Sequence, residues 1–436
     1  MRLGSALLDL VAESPARALF LGPGWGDGTL LLGGTVETAA EGADRPGGAS
    51  TAQGPENTDA DGTVQLGSVF GAWRGDVGDG SGEPLPSEAS ECARIDRLAE
   101  WDAAGVLVRV DGPGEWVRAV RAAASILSSA GRPAGIVEAR STGAPDHVPT
   151  PLPASPRRYA PGRLDEAGYR AAVLDAQAVI RRGDAYVLCL TTTVRIDAPR
   201  PPRTAFDILC APGAARFAAI LEFPGHTLVS ASPELFLDIT PARVRTSPIK
   251  GTRPRGSTPE EDDARAEELR ADPKERAENT MILDLLRNDI GRIGEPGSLR
   301  VEGFLTVERH AVHQLVSTVS VRPRSGVGVA EVLASCFPGG SMTGAPRQSA
   351  IVELRRLEAA PRGRYAGCFG IVIDDRRARL AMTIRTLDYH DGVADIGCGG
   401  GITADSDPDR ECAEMRLKAD ALVRAATASL PAAPGQ

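Results

Sequence analysis

Read by the spacing of its apolar and polar positions, the chain changes character near residue 163. Ahead of that point ARALFLG, TVQLGSVFGAWRG and GVLVRVDG carry the short apolar runs of strands. EWVRAVRAAASILSSA spaces its apolar residues as a helix that Gly131 can stop. Between these lie Gly/Pro/Ser/Asp-rich segments at about 37–64, 75–92 and 141–162. They hold too few apolar side chains to offset ordering entropy, which predicts mobile loops. From 163 the pattern is continuous. LDEAGYRAAVLDAQAVIRRGD predicts an amphipathic helix ending near Gly183, followed by a strand at AYVLCLTTTVRI. Further strands are predicted at FAAILEF, HTLVSASPELFLDI, ARVRTSPI, HQLVSTVSVRP, YAGCFGIVI, ARLAMTIRTLDYH and GVADIGCGGGI, mixed irregularly with helices. That irregular mixing predicts an α+β, largely antiparallel architecture rather than a doubly wound parallel sheet. The division expected is an N-terminal region, 1–162, contributing to a composite fold, and a catalytic domain, 163–430.

Three helices bear on chemistry. Thr258, Pro259 and Glu261 read as the N-cap, first-turn proline and returning carboxylate of a capping box, opening a helix that ends near Pro273. A second runs from there through KERAENTMILDLLRND to about Gly291, and a third covers DRECAEMRLKADALVRAATA. Glu275 and Glu278 lie three apart on the second; Glu411, Glu414 and Lys418 share one face of the third. Each helix can therefore aim two carboxylates at one point, as a hard divalent cation such as magnesium requires. The same spacing also suits a solvated helix face.

Length and charge narrow the classes. At 436 residues the chain suits one large composite domain or two, and 42% apolar with 25% charged residues is a globular composition. Its net charge of -9, without a Lys/Arg-rich run, excludes nucleic acid as an expected partner. No apolar stretch is long enough for a membrane span, and acidic residues interrupt the opening segment where a signal peptide stays apolar, so a cytoplasmic enzyme is expected. Seven scattered cysteines without a C-x-x-C pair predict reduced thiols. Almost every basic residue is arginine; the lysines are Lys250, Lys274 and Lys418 alone.

Glycine-rich GGSMTGAP (339–346) and GCGGGI (397–402) allow backbone N–H groups to approach a carboxylate, although either also suits a tight turn. Arg385, at the end of the strand AMTIRT, is a candidate for bidentate carboxylate recognition. Lys250, in SPIKGTRPRG, can act as nucleophile or base if its amine is desolvated. Glu234, following a proline among small and apolar residues, can become a general acid if burial raises its pKa.

Taken together, SPELF, PIKGTRPRG, AENTMILDLLRNDIGR, VHQLVSTV, FPGGSMTGAPRQSAI, TIRT and CGGGITADSDPDRECAE resemble, in order and over roughly residues 165–430, the chorismate-utilising enzyme family. That family includes anthranilate, isochorismate, salicylate and aminodeoxychorismate synthases. The resemblance implies a β-sandwich flanked by helices, with the active site between the sheets. It implies that Glu234 is the general acid that helps the C4 hydroxyl of chorismate leave, and that Lys250 attacks C2 before ammonia enters at C4. The lysine in PIKGT is similar to that of aminodeoxychorismate synthases, where anthranilate synthases have PIAGT. By the same resemblance Glu278 and Glu414 are the main magnesium ligands and Glu275 and Glu411 support them. Tyr365, Arg385, Gly399 and Lys418 match positions that bind the substrate carboxylates, and Ser341 and Thr343 match the loop beside the ring.

The sequence departs from the family at several positions. Gln314 stands where the family has a histidine associated with lyase chemistry, and His313, one residue earlier, would face the other side of its strand. Val187 matches the lysine that activates water in isochorismate and salicylate synthases; Val187 and Cys189 replace the Gln and Asn common in aminating members. No G-x-C-x-G elbow of a glutamine amidotransferase is present, so ammonia is expected from a separate amidotransferase subunit. Expected products are 4-amino-4-deoxychorismate for p-aminobenzoate and folate or for a specialised metabolite. The alternatives are anthranilate or 2-amino-2-deoxyisochorismate synthesis, or a silent chorismate-binding paralogue.

Overall fold

The computed structural model describes residues 157–209, 215–310 and 312–427, preceded by shorter stretches at 14–21, 29–36, 69–73, 91–101 and 107–111 and by Trp25. The helix expected at 115–130 and most of the expected loops fall outside the described residues. The N-terminal stretches supply β1 (Ala16–Leu21), β2 (Thr29–Val36), β3 (Val69–Trp73), β4 (Glu91–Trp101) and β5 (Leu107–Asp111). There follow β6 (Arg157–Tyr159), α1 (Glu166–Arg181), β7 (Val187–Asp197), α2 (Pro202–Leu209), β8 (Phe217–Phe223), β9 (His226–Ser232), β10 (Leu235–Ile239), β11 (Val244–Ser247) and β12 (Ile249–Pro254). Next come α3 (Pro259–Ala271), α4 (Pro273–Gly291), β13 (Arg300–Arg309), β14 (Val312–Val321) and α5 (Val329–Cys336). A short 3-10 turn (Gly340–Met342) leads to β15 (Gly344–Ala345), α6 (Arg347–Glu358), β16 (Cys368–Asp374), β17 (Arg377–Met382), β18 (Thr386–His390), β19 (Val393–Ile402) and α7 (Pro408–Thr427).

Two antiparallel sheets face each other. One runs β6–β7–β19–β18–β9–β8–β1–β2. The other runs β3–β16–β17–β10–β11–β14–β13, with β12 beside β11 on the same edge of β14. Strand β4 pairs with both β2 and β3 and so joins the two into one hydrogen-bonded ladder. Side-chain alternation fills the layers. Ala16, Ala18, Phe20, Phe217, Ala219, Leu221, Phe369, Ile371 and Ala381 meet between the sheets. Leu188, Leu190, Ile396 and Cys398 turn outward onto α1, α2, α6 and α7. Leu237, Leu380 and Met382 turn outward onto α4 and α5. This is the expected α+β sandwich. Trp25 lies between the sheets as well, edge-on to Phe20 and Phe217 with its indole N–H donating to the Ala218 carbonyl at 3.1 Å. No helix among the described residues is long and apolar enough to cross a membrane.

Two expected strands are each broken in two, and both breaks position chemistry. HTLVSASPELFLDI runs as β9 in one sheet and β10 in the other, separated at Pro233, which has no N–H to give to a ladder. ARLAMTIRTLDYH likewise crosses from β17 to β18, with Arg385 at a φ of 52° in the junction rather than at a strand end. The crossings are bonded together: Ala231 N–H donates to the Arg385 carbonyl at 3.0 Å and Met382 N–H to the Glu234 carbonyl at 3.1 Å. Glu234 and Arg385 thus stand at the seam between the sheets.

Helix caps follow the residue types. Thr258 accepts from the Glu261 N–H at 3.2 Å, while the Glu261 carboxylate returns one residue further, to the Ser257 N–H at 2.8 Å, a correction to the simple capping box. Asp272 accepts from the N–H groups of Lys274 and Glu275 and so starts α4 as α3 ends. Cys189, Cys336, Cys368, Cys398 and Cys412 are buried free thiols.

Candidate active site

The seam is lined from four directions. Glu234, at the β9–β10 crossing, is buried with 6% of its surface exposed and accepts from Ser341 Oγ at 2.7 Å. The Ile249 N–H also donates to it, so the carboxyl is pressed against the start of β12, one residue from Lys250. Burial raises its pKa to about 7, against the lowering influence of the Ser341 hydroxyl, the Lys250 charge and that N–H. A carboxyl so placed is a proton donor near neutral pH.

Lys250 is half-buried on β12. A Cβ built on Gly401 of β19 would stand 3.7 Å from Glu278 Oε2, 3.9 Å from Lys250 Nζ and 3.6 Å from a Val187 methyl, so these four positions meet. Burial is the largest influence on the Lys250 amine and acts to lower its pKa. Cys189, Glu278, Glu234 and Glu414 together outweigh it, and the net shift is upward. The residue after it, Gly251, has a φ of +84°, and a Cβ there would come within 2.8 Å of Leu269 and 3.0 Å of Glu275, so glycine is required on both counts.

The helices bring their carboxylates to the same cleft. Burial raises the pKa of Glu278 on α4 and of Glu411 on α7. Glu411 accepts from Ser406 Oγ at 2.8 Å. Glu414 is the most open of the set; desolvation pushes it upward, but Lys418 at 2.7 Å, with Lys274 and Lys250, brings it below its ordinary value. Lys418 also donates to the Gly399 carbonyl at 2.8 Å. Glu275 is drawn aside, 3.5 Å from Arg253. Lys274, which no sequence motif assigned, spans the rest: its Nζ lies 3.7 Å from Glu278 and 3.6 Å from Glu411. The donors are hard carboxylate oxygens facing each other around a cation, which fits a divalent ion such as Mg2+. Among the described residues no group of three acidic, His or Cys side chains is placed to hold a metal ion, and Lys274 stands between Glu278 and Glu411. An open set suits an ion that keeps waters and leaves positions for a substrate oxygen.

The remaining expected residues are near but differently engaged. Thr343 is fully buried and its hydroxyl turns back to the Gly339 and Gly340 carbonyls, while its own carbonyl accepts from the Cys189 N–H at 2.8 Å. Tyr365 lies across Gly397, where a Cβ would overlap the ring at 1.9 Å, and burial raises its phenol well above the usual value. GCGGGI is therefore strand, not turn, and its glycines admit a ring and charged groups against the backbone. Arg385 opens to the cleft, yet desolvation lowers its pKa. Gln314 is buried on β14 opposite Thr252, two residues beyond Lys250. His313 faces away and bonds Asp262 of α3 through Nε2 at 2.8 Å, as the strand alternation predicts.

Sequence reading missed the support beneath the loop. Arg362 and Glu358 form a fully buried pair, 2.7 and 2.9 Å apart at their two contacts. Arg362 also donates to the carbonyls of Met342 and Cys189, and Glu358 accepts from the N–H and hydroxyl of Thr191. One ion pair thus fixes Met342, between Ser341 and Thr343, against β7. A cavity of about 480 Å³ lies on the far side of Tyr365, lined among others by Arg163, Arg195, Thr383, Asp388 and Gly397; neither Lys250 nor Glu234 reaches it.

A family profile described as chorismate binding enzyme matches residues 96–424. The chain belongs to the chorismate-binding enzymes. This chorismate-binding enzyme is 44% identical over 259 residues to an aminodeoxychorismate synthase of Streptomyces pristinaespiralis, a match covering 59% of the chain and 36% of that protein. It is 43% identical over 252 residues to an anthranilate synthase component 1 of Haloarcula marismortui, covering 58% of the chain and 52% of that protein. The chain therefore spans about a third to a half of the length of these relatives. Among solved structures, anthranilate synthase component I from Streptococcus pneumoniae superposes with a TM-score of 0.65 at 25% identity, covering 84% of this chain and 83% of that one. The menaquinone-specific isochorismate synthase of Escherichia coli superposes at 0.69 with 17% identity over 96% of this chain and 91% of its own, a likeness of fold.

Proposed function

We propose that this chorismate-binding enzyme aminates chorismate at C4, giving 4-amino-4-deoxychorismate, with ammonia from a separate glutamine amidotransferase subunit. The observation that carries the reading is the Lys250 amine in one cluster with Glu234 and Glu278, next to the apolar Val187. A C2-aminating synthase has no use for a nucleophile there, and Val187 provides no base for water.

In this reading protonated Glu234 gives its proton to the C4 hydroxyl, which leaves as water while the neutral Lys250 amine bonds to C2 and the two conjugated ring double bonds each move by one position. The Lys250 adduct returns a proton to the Glu234 carboxylate. Ammonia then bonds to C4, the C2–N bond breaks, and the proton balance is restored through Glu234. Two displacements replace one difficult one. Arg385 and Lys418 orient the substrate carboxylates, with Tyr365 and Gly399 beside them, and Ser341 keeps Glu234 aimed at the ring. Glu278 and Glu414 would hold the metal, with Glu411 and Glu275 around them; when bound, Mg2+ supplies positive charge for the ring carboxylate and offsets these acids. With the acids offset, burial, the largest influence on Lys250, favours the free amine.

The test is mass-resolved product analysis with chorismate, Mg2+ and ammonium, run beside Lys250→Ala. Aminodeoxychorismate from the parent protein and a loss of about 100-fold or more in the variant are expected. Anthranilate or the C2-aminated isomer would overturn the assignment, and no turnover even with a cognate amidotransferase would favour a silent paralogue.

A further inference from the structure

All three lysines of the chain act on the Glu414 carboxylate in one cleft, and Lys274 has no part in the reaction just described. It sits in the first turn of α4, where the N-terminal end of a helix disfavours a cation, so its placement there needs another reason. Its ammonium lies 3.7 Å from Glu278 Oε1 on its own helix and 3.6 Å from Glu411 Oε1 on α7. The carboxylates lie deeper: 11% and 4% of their side-chain surfaces are exposed, against 52% for Lys274. Helices α4 and α7 do not pack extensively on each other, and among the described residues Lys274 makes the ion pair that links them.

We propose that Lys274 is a tethered counter-cation, spanning the carboxylates of α4 and α7 in the metal-free protein and displaced when a divalent cation binds between them. The proposal deepens the reading of Glu278 and Glu411 as part of a metal site and rests on it. Two cations cannot share the same oxygens within 4 Å without strong repulsion, so metal binding and the Lys274 bridge exclude each other. The side chain is long enough to swing into solvent while remaining attached. Apparent metal affinity is then reduced by the fraction of protein in which the bridge is closed. For two partly exposed ion pairs that reduction is about fivefold.

Because the chain has three lysines, protein grown on lysine labelled with 13C at Cε gives three side-chain signals, and Lys274→Met identifies one by its loss. The full chain, without chorismate, is titrated with MgCl2 at constant ionic strength while the spectra and Tm are followed. The Lys274 signal should shift and narrow along the same curve as the Mg2+-induced rise in Tm. Lys274→Met should bind Mg2+ about fivefold more tightly and should have a lower Tm than the parent when metal-free. A Lys274 signal that stays in place while Mg2+ saturates the protein overturns the proposal. So does equal or weaker Mg2+ binding by the variant, or the lack of any Mg2+ response. Since no product is measured, an error in the reaction assigned above leaves this test intact.

Discussion

Replacing Glu234 with glutamine removes a titrating group while keeping its shape, and the consequence should be read in stability as well as activity. The buried carboxyl sits at about 7 in the folded protein, with burial as the leading cause, against 4.5 for an ordinary glutamate. The folded state therefore holds this proton more tightly than the unfolded chain. That contribution is fully present below about pH 4.5 and is lost as the pH rises through about 7. The gap corresponds to about 3 kcal/mol in total, of which about 2.5 kcal/mol falls between pH 5 and pH 8. Relative to the parent, Glu234→Gln should gain that amount across the interval, because its amide can still accept from Ser341 and has no charge to bury. Urea denaturation of both proteins at pH 5 and pH 8, at one ionic strength, cancels the other titrating groups in the difference. Parallel pH dependences would refute the argument and place the Glu234 carboxylate in a solvated setting. In the proposed reaction the same variant has no proton to give, so amination should fall by about 10²–10⁴-fold.

Two further variants separate support from chemistry. Arg362→Met strips the closer of two buried cationic partners from Glu358, leaving it with Arg163 at 3.7 Å and the Thr191 N–H and hydroxyl; a loss of about 3 kcal/mol in urea denaturation is expected, and a loss below about 1 kcal/mol would mean that water reaches the pair. His313→Asn breaks the contact with Asp262 and should lower stability by about 1–3 kcal/mol while leaving Mg2+ affinity and product identity unchanged; an altered product would bring His313 into the reaction.

Much of the cleft is legible from residue types, because its groups are charged and closely spaced on helices with clear caps. Glu275, Glu278, Glu411, Glu414 and Lys418 are predicted on the helices where they stand, and Asp272 and Asp407, each accepting from N–H groups of the first turn, explain why those helices start where they do. The scarcity of lysine singles out Lys274 without indicating what it touches. What the spacing does not disclose is where strands change sheets. The breaks at Pro233 and Arg385 are single positions inside long apolar runs, and only the partner strands determine that the chain must cross there. Strand β4, ECARIDRLAEW, is rich in residues that favour helices in isolation, yet it is held extended by pairing along both edges. Strand β13, with Gly303 and a left-handed Leu305, is too irregular to show an alternating pattern in the sequence. The Arg362–Glu358 pair is four residues apart at a helix end, a spacing common on exposed surfaces, and its burial depends on β7.

The ladder that joins the two sheets has a consequence for the N-terminal strands. Strand β1 covers the edge of β8 and β3 covers the edge of β16, so the N-terminal strands close what would otherwise be two open flanks. A protein severed at residue 162 would keep Glu234, Lys250 and both acidic helices, but β8 and β16 would each present a row of unpaired N–H and C=O groups beside exposed aromatic residues. Such flanks recruit strands from other molecules. Aggregation of such a fragment would therefore report a missing seal, not a damaged Glu234–Lys250 cluster.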